Sequence, residues 1–450
     1  MPVRSAGRSW LWPDGFLISS ALVVLVGMIL ISRRSWSGHS QIGLLILSLA
    51  GWMLVLLLGG APFLLGKPAR KRVALASIST MCTMYLLDLL LSLIPANDAF
   101  REAAHRFGHN FDTRSPLQFM RDRQAHGETL YPRLGGAHFL EQPLLINAKP
   151  VIPLGSISSS PTFIKFETGA FLRYQSDEHG FHNPAGLWSG DALDIVAVGD
   201  SFTLGCSVGS DENFVALIRK RYPKTLNLGQ GGNGPLLMLA GLKEYAAPYK
   251  PKTVLWFHFE GNDLEDLNME QTSAILMAYL QGAFQQGLIH QQAKLDELMK
   301  HRIAEMASLE HAGSASDALL AFLKLRHLRQ RCGLLLHPPP DLELFARLLA
   351  EARATVHSWN GRLVFVYLPS WERYARRDVT LLRRAEVLDV VRGLGIQVVD
   401  MDATFASESD PLSIFPYRLS GHYNAKGHRA VSQRVLTIIQ EILSPNLPHG

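Results

Sequence analysis

Cysteine is almost missing from this chain: Cys82, Cys206 and Cys332 are the three among 450 residues. So few thiols, so widely scattered, exclude a disulfide framework and a thiolate metal site, and leave open a single Cys206–Cys332 bridge outside the cytosol. Charge is also sparse, at 18% of residues. Zinc-finger spacing is missing, and no glycine-rich phosphate loop is expected. A formal charge of +5 and a pI near 9.0 would suit a nucleic-acid partner. The basic cluster Lys67, Arg70, Lys71 and Arg72 lies between two apolar runs, however, where membrane topology explains it better. No nucleic acid, cofactor or metal is expected.

What the chain has in excess is apolar sequence, 47% of it, concentrated near the start. Runs at Phe16 to Ile31, Ile42 to Leu65 and Val73 to Ile94 approach or exceed the roughly 20 residues a helix needs to cross a bilayer. The first run is short but gains Leu11 and the interface residues Trp10 and Trp12. It lacks a small-residue cleavage site, so a retained helix is favoured over a signal peptide. Three transmembrane helices are therefore expected in residues 1–96, with the lipid bilayer as a partner. Arg4 and Arg8 share a side with the Lys67–Arg72 cluster, which places the amino terminus in the cytoplasm and everything after Ile94 in the periplasm. Asp88, in the third run, sits close enough to the outer end to reach the interface.

Residues 97–162 show no sustained period and read as a membrane-proximal connector. From about residue 163 to the end, short apolar strands alternate with amphipathic helices. Strands are predicted at Ile195–Val198, Thr225–Leu228, Thr253–Phe259, Leu363–Leu368 and Ile396–Val399; helices at Asn213–Arg221, Pro235–Tyr245, Leu381–Arg392 and Ala425–Leu443. This is the pattern of a parallel sheet covered on both faces. A mostly helical insertion interrupts it at about 264–359.

Four separated pieces fall at strand ends or before the last helix. Gly199-Asp200-Ser201 follows the first strand. A glycine-rich turn around Gly232 follows the second, Gly261-Asn262-Asp263 the third, and Gly421-His422 precedes the final helix. Ester chemistry needs these types of group: a hydroxyl nucleophile, an imidazole to take its proton, and donors aimed at the developing oxyanion. Ser201 and His422 are the candidate pair. The N–H groups of Ser201 and Gly232 and the Asn262 amide are the candidate oxyanion hole. Ser207, in a G-x-S-x-G match, lies too far past its strand to be the nucleophile. His428 is expected inside the last helix, and His258 is expected to be a strand-end structural residue. Asp200 is expected to form the turn, and with Asp263 makes a poor metal site.

These four blocks resemble the SGNH (GDSL-type) hydrolases, whose Ser, Gly, Asn and His they match in order at Ser201, Gly232, Asn262 and His422. The similarity covers roughly Tyr174 to Leu443, including Asp177-Glu-His-Gly-Phe-His-Asn183, like a segment seen before the nucleophile strand in bacterial members. It implies a flavodoxin-like three-layer α/β/α sandwich. It also implies an acid three residues before the histidine, where this chain has Leu419. Asp400, Asp402 or Asp410 can substitute, as can a backbone carbonyl, or the site is a Ser–His dyad. With the apolar runs and the charge topology supplying a membrane anchor and an extracytoplasmic location, the resemblance further implies an ester hydrolase or O-acyltransferase. Its expected substrate is the acetyl esters of cell-surface polysaccharide, and envelope polysaccharide assembly proteins are expected partners. The alternatives are a lipid esterase and a catalytically weak glycan-binding component.

Overall fold

The computed structural model describes residues 12–33, 60–92, 98–190, 192–312, 340–375 and 382–443, with isolated positions at 55, 58 and between 322 and 328; for some of these, notably 23–33 and 309–312, only the backbone is described. The chain divides into two compact units, residues 1–96 with 314–339, and residues 97–313 with 340–450.

In the first unit, helices Trp12–Arg33 and Lys67–Ser92 cover the first and third apolar runs. Among the described residues, Lys67–Ser92 alone is long and apolar enough to cross a membrane. Of the three helices expected to span, the described residues show that one. Run Ile42–Leu65 falls mostly outside the described residues, and the described side chains of Trp12–Arg33 stop at Leu22. The start of that helix is not purely apolar: buried Asp14 pairs with Arg70 at 3.0 Å. Two charges withdrawn from water persist only as a pair, so this contact ties the two helices. Asp88 also departs from expectation. It is buried and accepts a hydrogen bond from the Leu328 N–H at 2.7 Å, from the segment that returns to this unit.

The second unit is built on five parallel strands: β1 (Ile195–Val198), β2 (Thr225–Asn227), β3 (Thr253–Phe259), β4 (Arg362–Leu368) and β5 (Gln397–Asp400). Their order across the sheet is β2-β1-β3-β4-β5, the flavodoxin-like winding. Both faces are apolar because both are covered. Ile195, Ala197, Leu255 and Phe257 face one core with helices Phe214–Arg221 and Ala425–Leu443. Val196, Val198, Val254 and Trp256 face the other, with helices Pro235–Gly241, Leu342–His357 and Arg384–Gly393. Successive side chains point to opposite faces, so the continuous hydrophobic run of β3 is that of a central, doubly buried strand. The α/β expectation holds, with strand ends within a residue of those read from the sequence.

The part read as an irregular connector has structure. Helices Asp98–Arg106 and Pro116–Ala125 precede a three-stranded sheet of Tyr131–Pro132, Pro161–Lys165 and Phe171–Gln175. The last two strands form an antiparallel hairpin, with Lys165 opposite Phe171. The hairpin belongs to the same unit as the five-stranded sheet, and its turn supplies a residue of the site.

Candidate active site

β1 ends at Val198, and Asp200 caps the four-residue helix Ser201–Leu204, its Oδ1 accepting from the Phe202 N–H at 2.9 Å. The turn leaves Ser201 half-buried beside His422, which lies in the loop before helix Ala425–Leu443. Ser201 Oγ is 2.8 Å from His422 Nε2. On the other side of the ring, Nδ1 lies 3.1 and 3.2 Å from the two carboxylate oxygens of Glu167. An ionised carboxylate can only accept, so Nδ1 carries the proton and Nε2 is free to accept from the serine hydroxyl. The His422 backbone N–H also donates to Glu167 Oε1 at 2.7 Å. The carboxylate is thus held by both the ring and the main chain of the residue it orients.

Glu167 was not among the residues anticipated. It stands in the hairpin turn between Lys165 and Phe171, separated from His422 by 255 positions. The expected acids are occupied elsewhere. Asp400 caps helix Met401–Ala406 and pairs with Arg384, Asp402 accepts from the Tyr374 hydroxyl at 3.1 Å, and Asp410 pairs with Arg418. The third-acid assignment to Asp400, Asp402 or Asp410 is therefore corrected to Glu167. The hairpin brings this carboxylate to the ring edge that Leu419 cannot serve.

Burial works to raise the Glu167 carboxyl, but the hydrogen bond and charge of His422 outweigh it and hold the group down at about 2. Burial likewise opposes charge on His422, and the hydrogen bond and charge of Glu167, aided by the charge of Asp200, win and raise the imidazole above its ordinary 6.5. Each partner stabilises the charged form of the other, which is what a base that becomes imidazolium during the reaction requires.

Gly421 makes room for this contact. A Cβ there would lie 2.5 Å from Glu167 Oε1. Gly421→Ala is expected to push the carboxylate off His422 and lower kcat by about 10²-fold while the protein stays folded, since misplacement on the order of 1 Å costs that much. Steady-state kinetics beside a thermal melt check this, and wild-type kcat would show that Glu167 tolerates displacement.

Ser201, Asn262 and His422 share the lining of a cavity of about 460 Å3, with Phe259, Trp371 and Glu372 on its walls. Asn262 follows β3 and opens helix Asp263–Glu270. Gly232 takes a positive φ of 81° in the turn after β2 and lies outside that lining. The turn is nonetheless strapped to the serine: Asn227 Nδ2 donates to the Thr203 carbonyl at 2.8 Å, and the Gln230 N–H to the Gly199 carbonyl at 3.2 Å. Residues 229–234 also spell G-x-G-x-x-G between a strand and a helix, the spacing of a dinucleotide turn. Here the Glu270 carboxylate occupies the helix N-terminus, accepting from Gly234 N–H at 2.6 Å and Leu236 N–H at 2.7 Å. An acid already holds the donors a phosphate would need.

The other candidates do not enter the relay. Ser207 sits at φ 68° with its hydroxyl buried and without a hydrogen-bond partner. His428 is fully buried, and its Nδ1 accepts from the Phe214 N–H at 3.2 Å. His258 is buried 3.1 Å from Asp263, and Glu260 forms a pair with Arg373. Among the described residues, no three His, Cys, Asp or Glu side chains converge as a metal site. The Asp177–Asn183 segment is a brace: Asp177 accepts from Asn183 Nδ2 and Trp188 Nε1, each at 2.8 Å, and Asn183 Oδ1 receives the Asn227 N–H at 2.8 Å.

A five-stranded doubly wound sheet, a serine after its first strand and a histidine before its last helix make this a flavodoxin-like α/β unit carrying a Ser–His–Glu site. No family model matches the chain, and no curated protein matches it. Among solved structures it is similar to a member of the lipolytic protein G-D-S-L family from Veillonella parvula, at 13% identity over 55% of this chain and 99% of that one, TM-score 0.32. It is also similar to the lipase/acylhydrolase from Enterococcus faecalis, at 12% identity over 56% and 96%, TM-score 0.33. A third is a two-domain esterase active on acetylated mannans, at 13% over 58% of this chain and 53% of that one, TM-score 0.31.

Proposed function

We propose that the chain is a membrane-anchored serine ester hydrolase that works outside the cytoplasm on acyl esters, foremost acetyl esters, of cell-surface polysaccharide. The observation that carries the chemistry is the continuous relay from Ser201 Oγ through His422 to Glu167. Ser201 attacks the ester carbonyl as His422 Nε2 takes its proton. The oxyanion forms against the Ser201 N–H and the Asn262 amide. His422 then returns the proton to the leaving alcohol, leaving an acyl-serine. Water, activated by the same imidazole, releases the acid; a sugar hydroxyl in its place would make the reaction an acyl transfer. Helix Lys67–Ser92, with its basic start and exposed Leu86, Leu87, Leu89 and Leu90, supports the anchor. A cavity lined by Trp371 and Glu372 offers an aromatic side chain and a carboxylate acceptor of the kind that suits a sugar ring and its hydroxyls.

The test is labelling of the detergent-solubilised full chain with a fluorophosphonate, followed by peptide mass spectrometry. An adduct on Ser201 supports the reading. A folded protein that takes no label, or takes it elsewhere, sinks it. Acetylated and de-acetylated polysaccharide then serve as substrate and control.

The pH profile follows from the same geometry. The base works as neutral imidazole, and its raised pKa places the acid limb of kcat/KM above 6.5, with activity lost as pH falls through it. In Glu167→Gln the limb moves to lower pH, because the interaction favouring imidazolium is gone. A limb that stays in place would uncouple the two residues.

A further inference from the structure

Asn262 occupies the cap position of helix Asp263–Glu270, yet its side chain makes no capping bond. Asparagine is favoured at that position because its Oδ1 accepts a backbone N–H. Asn213 does so in this chain, receiving the Ala216 N–H at 2.7 Å. The Asn262 side chain is turned the other way: Nδ2 donates one turn along the helix to Asp266 Oδ2 at 2.7 Å, and Oδ1 is buried without a hydrogen-bond partner. An amide that gives up a cap and leaves an acceptor unsatisfied is being held for another purpose. Its Nδ2 has a second hydrogen, and the residue lines the cavity with Ser201 and His422.

We propose that Asp266 is a positioning residue that locks the Asn262 amide with Nδ2 toward the reacting carbonyl, so that the oxyanion donor is aimed before substrate arrives. This rests on the esterase reading of the cleft. The acceptor is itself rigid. One turn further, Glu270 of the same helix grips the Gly234 and Leu236 N–H groups, and Gly234 packs so closely that a Cβ there would lie 2.7 Å from Asp266 Cβ. Preorganised donors of this kind cost no rearrangement in the transition state, which is why one of them carries a large share of the rate. Burial, with the charges of Asp263 and Asp200 adding to it, pushes Asp266 up to about 8. Asp266→Asn preserves the shape of the side chain and an acceptor oxygen for the Asn262 amide.

The experiment is a double-mutant cycle on the full chain in detergent, with p-nitrophenyl acetate as substrate and a thermal melt for each variant. Asn262→Ala is expected to lower kcat by about 10²-fold, the effect of losing one oxyanion donor. Asp266→Leu is expected to lower kcat by about 10-fold or more with KM within about 3-fold, since the ground state does not use the bond. Asp266→Asn should stay within about 3-fold of wild type, and Asn262→Ala with Asp266→Leu should be no slower than Asn262→Ala alone. If the leucine variant does not fold, Asp266→Ser withdraws the acceptor without adding bulk and gives the same comparison. The proposal is overturned by wild-type kcat in a folded Asp266→Leu or Asp266→Ser, by a loss in Asp266→Asn as large as either, or by multiplying losses in the double variant. Full activity in Asn262→Ala while Ser201→Ala is dead overturns it and leaves the esterase intact. A wild-type protein that hydrolyses nothing and takes no probe on Ser201 overturns the esterase reading and this proposal together.

Discussion

Ser201→Ala is expected to lower kcat for ester hydrolysis by on the order of 10⁴- to 10⁶-fold while the fold survives. The hydroxyl is half-buried, and its close partner is His422 Nε2 at 2.8 Å, so its loss removes one hydrogen bond from the edge of a cavity rather than packing from the core. What remains is water attack assisted by the oxyanion donors and by binding. Because serine and imidazole act as one unit, His422→Ala in the Ser201→Ala background should cost almost nothing more, though each alone is severe. Initial rates on p-nitrophenyl acetate for the two single variants and the double variant read this directly. A Ser201→Ala protein with more than about one hundredth of wild-type kcat would place the nucleophile elsewhere, given the size of the loss in known serine triads.

Glu167→Gln is expected to cost about 10²- to 10⁴-fold in kcat, with KM little changed. The amide keeps the shape of the carboxylate and removes its charge. It also lets an N–H face Nδ1, which favours the tautomer whose proton sits on Nε2, where it blocks the serine. The comparison that gives the measurement its force is with Asp400→Asn, Asp402→Asn and Asp410→Asn, whose carboxylates serve helix Met401–Ala406, Tyr374 and Arg418. Those three should retain kcat within about 3-fold, the ordinary range for residues outside a catalytic unit. A larger loss at any of them than at Glu167 would return the acid to the position first read from the sequence. The stability readout has a sign of its own. Glu167 is held at about 2 in the folded chain, against 4.5 for an ordinary glutamate, so it stabilises the fold above pH 4.5. That contribution is lost as pH falls from there through about 2, and Glu167→Gln should flatten acid unfolding in this window.

Gly421 and Glu167 mark where local sequence stops being informative. Strands β1, β3 and β4 are legible because each is a run of buried β-branched, aromatic and leucine side chains whose ends coincide with glycine, proline or a polar turn. Ser201, Asn262 and His422 are legible because chemistry at the carboxyl edge of a parallel sheet must come from residues just past a strand or just before a helix. Those relations are short-range, and periodicity encodes them. Hairpin Pro161–Lys165 with Phe171–Gln175 straddles the expected start of the α/β domain near residue 163 and is not among the predicted strands, because its strands alternate weakly and contain Pro161 and Lys165. Its turn carries Glu167, which nothing nearby in the sequence links to a histidine 255 positions on.

Taken alone, the amino-acid sequence determined the alternation of strands and helices, the doubly covered sheet and the positions of the serine, asparagine and histidine. Each of these follows from burial and backbone preference within a window of a few residues. Only the tertiary structure decided which acid orients His422, what each surplus carboxylate does, and that the amide of Asn262 turns to Asp266 instead of capping its helix. These are choices among chemically equivalent partners. They depend on which side chains the packed unit brings within about 3 Å, the reach of a hydrogen bond.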